Sequence, residues 1–319
     1  MAQPRTEPAI PFEVLLYYTF VRVPEPNLVR QEQEYLCSHL GLKGRILIAE
    51  EGINGTVSGP AKATAAYREF MQRHPLFRGI EFKTDPAVGH AFRKLNVRVK
   101  PELVHLGLPR TWDAGQTTAP FIEPEAMREL LRSPREDVVI LDTRSRYEVE
   151  VGKFRGAVTL PIEHFRELPE HMGALEAYKD KTLVTYCTGG IRCEKLTGWL
   201  LQNGFEKVYQ LRGGIIRYGH EVGGEGFEGK CYVFDGRLAV EVNTVDPTVV
   251  GHCSRCQAPT EQLVNCANAD CNAHLLLCPA CAEALEGCCS PACHASPHRR
   301  VYDGSGVYVR GVNSKVYAG

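Results

Sequence analysis

The chain has 319 residues, 44% apolar and 24% charged, which is ordinary for a globular protein and long enough for two or three domains with real cores. Its 37 Lys and Arg nearly balance 38 Asp and Glu, which excludes a globally basic nucleic-acid coat, so any basic surface must be local. No run reaches the ~20 apolar residues of a membrane span, and the opening MAQPRTEPAIPFEVLLYY lacks the signature of a secretory signal, so a cytoplasmic protein with no membrane partner is expected.

Residues 1–11 read as a tail and 12–110 as a first domain. Strands are expected over 14–23, 45–50, 55–58 and 79–83, helices over 27–40 and 60–73, and a further extended run over 95–106. The order βαββαβ predicts a ferredoxin- or acylphosphatase-like α+β fold, with the turn over 51–55 joining the middle strands. In FRKLNVRVK, over 92–100, alternation places Lys94, Asn96, Arg98 and Lys100 on one strand face and Leu95, Val97 and Val99 on the other. That basic face is a candidate phosphate track, and an ordinary solvated face is the competing reading. A Gly-, Thr- and Pro-rich linker over 112–120 closes the segment.

Residues 121–228 alternate strand and helix, which predicts a parallel α/β sheet with strands over 138–141, 157–161, 183–187 and 207–211. Ligands of such sheets bind beyond the carboxyl ends of the strands, where Asp142 and Cys187 both fall. In TYCTGGIRCEK, over 185–195, Cys187 stands where a strand hands over to a helix running from 191 to 202, with Gly204 expected just past its end. The amides of Thr188, Gly189, Gly190, Ile191 and Arg192 can curl around its sulfur, and the helix dipole favours negative charge there. A thiolate or persulfide with a lowered pKa is expected. A buried, inert cysteine would need neither the glycines nor Arg192. Cys193 reads either as a resolving thiol or as a small residue in the helix's first turn, and the second reading is favoured. Asp142 and Arg144 are expected to order the crevice as a hydrogen-bonded pair. His90, His105 and His164 are isolated and carry no assigned role.

Residues 229–319 have little periodicity. Nine of the thirteen cysteines crowd into 253–293, a pattern of metal binding in a reducing compartment and not of a disulfide framework. The pairs Cys253/Cys256, Cys266/Cys271, Cys278/Cys281 and Cys289/Cys293 suit two structural zinc sites of four cysteines each, the first pair joining the third and the second the fourth. Cys288 is left over, and His274 and His294 are alternative donors.

LDTRSRYEVEVGKFRGA, YCTGGIR and GFEKVYQLRGG together resemble a rhodanese domain. From Cys187 to Arg192 the loop spans six residues, as in rhodanese-type sulfurtransferases; the related dual-specificity phosphatases carry one more, which disfavours a phosphatase. Lys153 stands where rhodaneses usually carry a histidine, and the aromatic after the Gly-Gly pair is Tyr218. Neither is expected to touch chemistry. With the N-terminal YYTF, GRILIAEEGINGTVSG and FRKLNVRVKPELVHLG, the chain resembles the rhodanese-domain tRNA uridine hydroxylases over residues 12–293. That resemblance implies an oxidoreductase that converts the wobble uridine of tRNA to 5-hydroxyuridine with molecular oxygen, acting through Cys187. A plain sulfurtransferase and a non-catalytic zinc-bearing adaptor are the alternatives. No iron triad or flavin fingerprint accompanies the loop, so the residues name no cofactor for the hydroxylation.

Overall fold

A computed structural model describes residues 11–107 and 118–308. The N-terminal tail, most of the linker and the last residues of the chain lie outside that range. The described residues form two compact units, one ending at Val104 and the other beginning at His105.

The first unit runs β1 (Phe12–Phe20), α1 (Pro26–His39), β2 (Lys43–Ala49), β3 (Gly52–Pro60), α2 (Ala61–Arg73), β4 (Phe82–Ala87) and β5 (Leu95–Val99). Its sheet has the order β4-β1-β3-β2-β5, antiparallel except that β5 lies parallel to β2. Pro26 starts α1, where its missing N–H costs nothing. Val29, Gln33 and Cys37 recur at helical spacing and turn inward. The core against the sheet joins Leu15, Ile46, Ile48, Ile53, Val57 and Val97. Two tyrosines enter that core with their hydroxyls satisfied. Tyr67 donates to Gln33 Oε1 at 2.6 Å, which leaves Tyr17 to donate to Tyr67 at 2.5 Å, and Gln33 Nε2 donates to Met71 Sδ at 3.3 Å.

Two expectations shift here. The turn between β2 and β3 is only Glu50–Glu51, because Ala49 already pairs with Gly52. The glycines assigned to the turn belong to the strand instead. A Cβ on Gly52 would meet Thr19 O at 2.1 Å, and one on Gly55 would meet the Tyr17 ring at 2.3 Å. They are there for close approach. The last expected strand moves to β4, and the extended run after Leu95 keeps strand form only to Val99, with Pro101 just beyond.

The second unit contains β6 (Phe121–Ile122), α3 (Pro124–Arg132), β7 (Val138–Asp142), α4 (Arg146–Val151), β8 (Gly152–Phe154), β9 (Val158–Thr159), α5 (Met172–Glu176), β10 (Thr182–Tyr186), α6 (Ile191–Gln202), β11 (Val208–Leu211) and α7 (Gly214–Val222). The sheet β6-β11-β10-β7-β9 is parallel throughout. Its strands are short and apolar on both faces, as parallel strands covered by helices are. Gly204, at φ +82°, ends α6 as its position implied.

The chain continues through β12 (Phe227–Gly229), the hairpin β13 (Cys231–Tyr232) and β14 (Ala239–Val240), the hairpin β15 (Leu263–Asn265) and β16 (His274–Leu276), then α8 (Pro279–Ala284) and α9 (Pro291–His294). This cysteine-rich segment shares a unit with the parallel sheet. Val151 on α4 packs with Tyr232, Leu263 and Leu276, and the ring of Tyr147 stacks on His274 at 4.9 Å.

Candidate active site and metal centres

Register fixes the site. Tyr186 on β10 pairs with Asp142 on β7, so both strands end at one level, and the loop 187–190 leaves that edge to start α6. The Gly190 amide donates to Cys187 Sγ at 3.1 Å, with Gly190 at φ +104°. A second loop braces the first. The Ile215 and Ile216 amides donate to the carbonyls of Cys187 and Thr188 at 3.0 and 3.1 Å, and a Cβ on Gly214 would meet Cys187 O at 2.4 Å. Spacing alone does not reveal that the Gly-Gly pair after β11 exists to admit the cysteine loop.

Cys187 is fully buried. Burial alone would raise its pKa. A hydrogen bond from Cys193, the Arg192 charge and the amides of Arg192 and Gly190 overcome that and bring it down to about 5. Cys193 moves the opposite way, raised by burial and by its bond to Cys187, so it remains the thiol that donates. Its sulfur also lies 3.7 Å from Thr143 Oγ1. Cys193, in the first turn of α6, thus fills that turn with its thiol set toward Cys187.

Arg192 does not present an open fork. Its two terminal nitrogens donate to the two oxygens of Glu148 at 2.7 and 2.8 Å, and Glu148 is fully buried. Glu148 escaped the sequence reading. Its local signal is a capping box, Ser145-x-x-Glu148, in which Glu148 also accepts from the Ser145 amide at 3.1 Å. One carboxylate thus caps α4 and holds the loop arginine. Asp142 and Arg144 form a wholly buried pair, with Nε and Nη2 donating to Oδ1 and Oδ2 at 2.9 and 2.7 Å. Tyr186 donates to Asp142 at 2.5 Å and Arg144 to Gly152 O at 2.6 Å. These contacts tie β7, β8 and β10 together behind the loop. The β13–β14 hairpin closes the other side: Thr188 Oγ1 donates to Tyr232 O at 3.4 Å, and the Arg192 guanidinium lies 5.7 Å from the centre of the Phe234 ring. Cys231, also buried there, has its thiol pKa pushed up to about 12 by burial, well away from ionisation.

In the first unit, Lys94, Arg98 and Lys100 are exposed, while Leu95 and Val97 pack inward; Val99, expected with them, is exposed at the end of β5. The register sets Arg45 beside Asn96 and Leu47 beside Arg98, which extends the basic row on to β2. Arg45 was not anticipated, because only strand pairing brings it there.

Two cysteine quartets assemble in the tail, Cys253/Cys256/Cys278/Cys281 and Cys266/Cys271/Cys289/Cys293, each with its sulfurs within 4.8 Å of one another. Cys288 stands apart, as do His274 against Tyr147 and His294 at 3.7 Å from Glu286. Metal–sulfur bonds of ~2.3 Å in a tetrahedron put sulfurs ~3.8 Å apart. Cys256–Cys278 at 3.6 Å, Cys271–Cys289 at 3.7 Å and Cys289–Cys293 at 3.4 Å suit that spacing. The Cys289 amide and Asn268 Nδ2 also point at Cys266 and Cys293, as donors to metal-bound thiolates do. Among the described residues no helix is long and apolar enough to cross a membrane.

An acylphosphatase-like domain model of the UPF0176 family matches residues 12–103, a rhodanese-like domain model 123–220 and a rhodanese C-terminal model 228–294. A tRNA uridine(34) hydroxylase of Cytophaga hutchinsonii is 47% identical over 302 residues, covering 95% of this chain and 96% of that protein. One from Bacillus thuringiensis is 46% identical over 297 residues, 91% of each. Among solved structures, a rhodanese-related protein from Thermoplasma volcanium aligns over 32% of this chain and 93% of its own at 25% identity, with a TM-score of 0.28. With identity of that order running through both units and the cysteine-rich segment, the chain belongs to the tRNA uridine(34) hydroxylase family.

Proposed function

We propose that the protein is a tRNA uridine(34) hydroxylase that oxidises the wobble base to 5-hydroxyuridine through Cys187. The observation that carries this is a buried thiol held ionised in a six-residue loop, in a chain 47% identical along nearly its whole length to a protein of that name. Thiolate character supports two uses of the sulfur: attack on a sulfane-sulfur donor such as thiosulfate, which leaves a persulfide and releases sulfite, or addition to C6 of the uracil, which makes C5 the nucleophilic carbon. Molecular oxygen is the proposed oxygen source, as the family resemblance implies, with one atom entering at C5 and the other leaving as water on two electrons from an external reductant. Arg192 supplies the positive field at the sulfur while Glu148 holds its guanidinium in place.

Substrate binding is assigned to the open face of the first sheet. The strand order β4-β1-β3-β2 in a βαββαβ chain supports the ferredoxin-like reading, and Lys94, Arg98, Lys100 and Arg45 on one face support phosphate binding. The two cysteine quartets are proposed as structural zinc sites. Four thiolates each, with no open position, suit a closed tetrahedral ion that would pin the β15–β16 hairpin to α8 and α9. The test is nucleoside mass spectrometry of tRNA from cells lacking the protein, complemented with wild type or Cys187→Ser. Loss of 5-hydroxyuridine restored by wild type alone supports the proposal. Unchanged 5-hydroxyuridine in the deletion rejects it, and transfer of sulfur from thiosulfate to cyanide with no tRNA product would favour a sulfurtransferase.

A further inference from the structure

One large apolar side chain stands in water beside the sulfur loop. Phe234 is 47% exposed, at the turn between β13 and β14, while Cys231, Tyr232 and Val233 already anchor that hairpin in the core. The turn is rigid. Asp235 accepts from the Arg237 amide, Nε and Nη2 at 2.9, 2.9 and 2.7 Å, and the Val233 amide donates to Leu238 O at 2.8 Å. The ring stands edge-on to Tyr232 at 5.0 Å and 83°, with the Arg192 guanidinium 5.7 Å from its centre. Single exposed apolar residues are common and need no explanation. Phe234 differs because a braced turn holds it against the arginine of the reactive loop.

The chemistry of that corner selects the ligand. Both terminal nitrogens of Arg192 are taken by Glu148, so an anion such as phosphate finds its fork occupied. A neutral, planar group finds a half-exposed aromatic ring with a cation over one of its faces. A base that reacts at an enzyme site must leave its own stack, and an aromatic side chain replaces the lost π-contact.

We propose that Phe234 is the platform on which the target uracil stacks at the mouth of the Cys187–Arg192 loop, making it a substrate-positioning residue. This rests on the hydroxylase reading above. Binding is measured on the full chain with two anticodon stem-loop RNAs, carrying uridine or 5,6-dihydrouridine at position 34. The saturated dihydrouridine ring is puckered and stacks poorly. Wild type should prefer uridine by on the order of tenfold. Phe234→Ala and Phe234→Leu should lose that preference, and Phe234→Trp should keep it. Leucine preserves apolar bulk, so its failure separates stacking from packing, and an unchanged Cys187 titration in the variants excludes a disturbed loop. Equal preference in wild type and Phe234→Leu, or none in wild type, overturns the platform. Formation of 5-hydroxyuridine by wild type on the uridine RNA is scored separately. Product without a Phe234-dependent preference removes the platform alone, and absence of product removes the hydroxylase reading.

Discussion

Replacing Glu148 by Gln keeps the side chain's shape and removes the buried charge that Arg192 grips through two hydrogen bonds. Two consequences follow, and they point in opposite directions. Breaking a buried ion pair from one side costs about 3–5 kcal/mol, because the surviving charge stays buried without its partner. The Cys187 thiolate remains as a counter-charge, so the low end is expected here. With a urea dependence of about 2 kcal/mol per molar, the unfolding midpoint should fall by about 1.5 M. The freed Arg192 field then acts more fully on the sulfur, so the Cys187 pKa should drop below its value of about 5. Urea unfolding followed by circular dichroism reads the first effect. The thiolate ultraviolet absorbance, taken as a difference from the matching Cys187→Ser protein, reads the second. A midpoint shift under about 0.5 M, or a thiol pKa that rises, would refute the reasoning that Glu148 both braces the loop and offsets its arginine.

The remaining predictions are narrower. Cys187→Ser should abolish 5-hydroxyuridine and leave the fold intact, whereas Cys193→Ala, which removes a donor to the thiolate, should raise the Cys187 pKa above about 5 and lower activity less. The Cys187 pKa lies below the ordinary thiol value of 9.0, so its contribution to stability is fully present above pH 9.0, declines as pH falls and is lost below about 5; Cys187→Ser should lack that part of the stability–pH profile. Elemental analysis should find close to two zinc ions per chain, and Cys278→Ser should release one and lower the melting temperature; metal-free protein with all quartet thiols titratable would reject the sites. Changing Lys94, Arg98 and Lys100 together to Ala should weaken tRNA binding, with the magnitude of the salt slope falling by about 0.7 for each lost contact to single-stranded RNA; unaltered affinity at low salt would remove this face from the interface.

Much of this is legible in the sequence alone, because the informative signals are local. Alternation along 95–99 separates Leu95 and Val97 from Asn96 and Arg98 whatever the sheet does, since successive side chains in a strand point to opposite faces. Cys187, Gly190 and Arg192 lie within six residues, so the two amides that reach the sulfur, those of Gly190 and Arg192, come from a strand-to-helix handover. The cysteine pairs carry their own spacing, and two thiols with two residues between them can share one ion in almost any fold. What the sequence could not decide were contacts closed by residues far apart along the chain. Glu148 meets Arg192 across 44 positions because α4 and α6 both start at the same sheet edge. Gly52 and Gly55 looked like turn residues until β1 lay against them, leaving no room for a side chain. Arg45 joined the basic row only when β2 paired with β5, and Phe234 met Arg192 only when the β13–β14 hairpin folded back on the loop. Period and spacing are properties of a short stretch of backbone. Which stretches share a wall depends on strand order and register, and only the folded chain sets those.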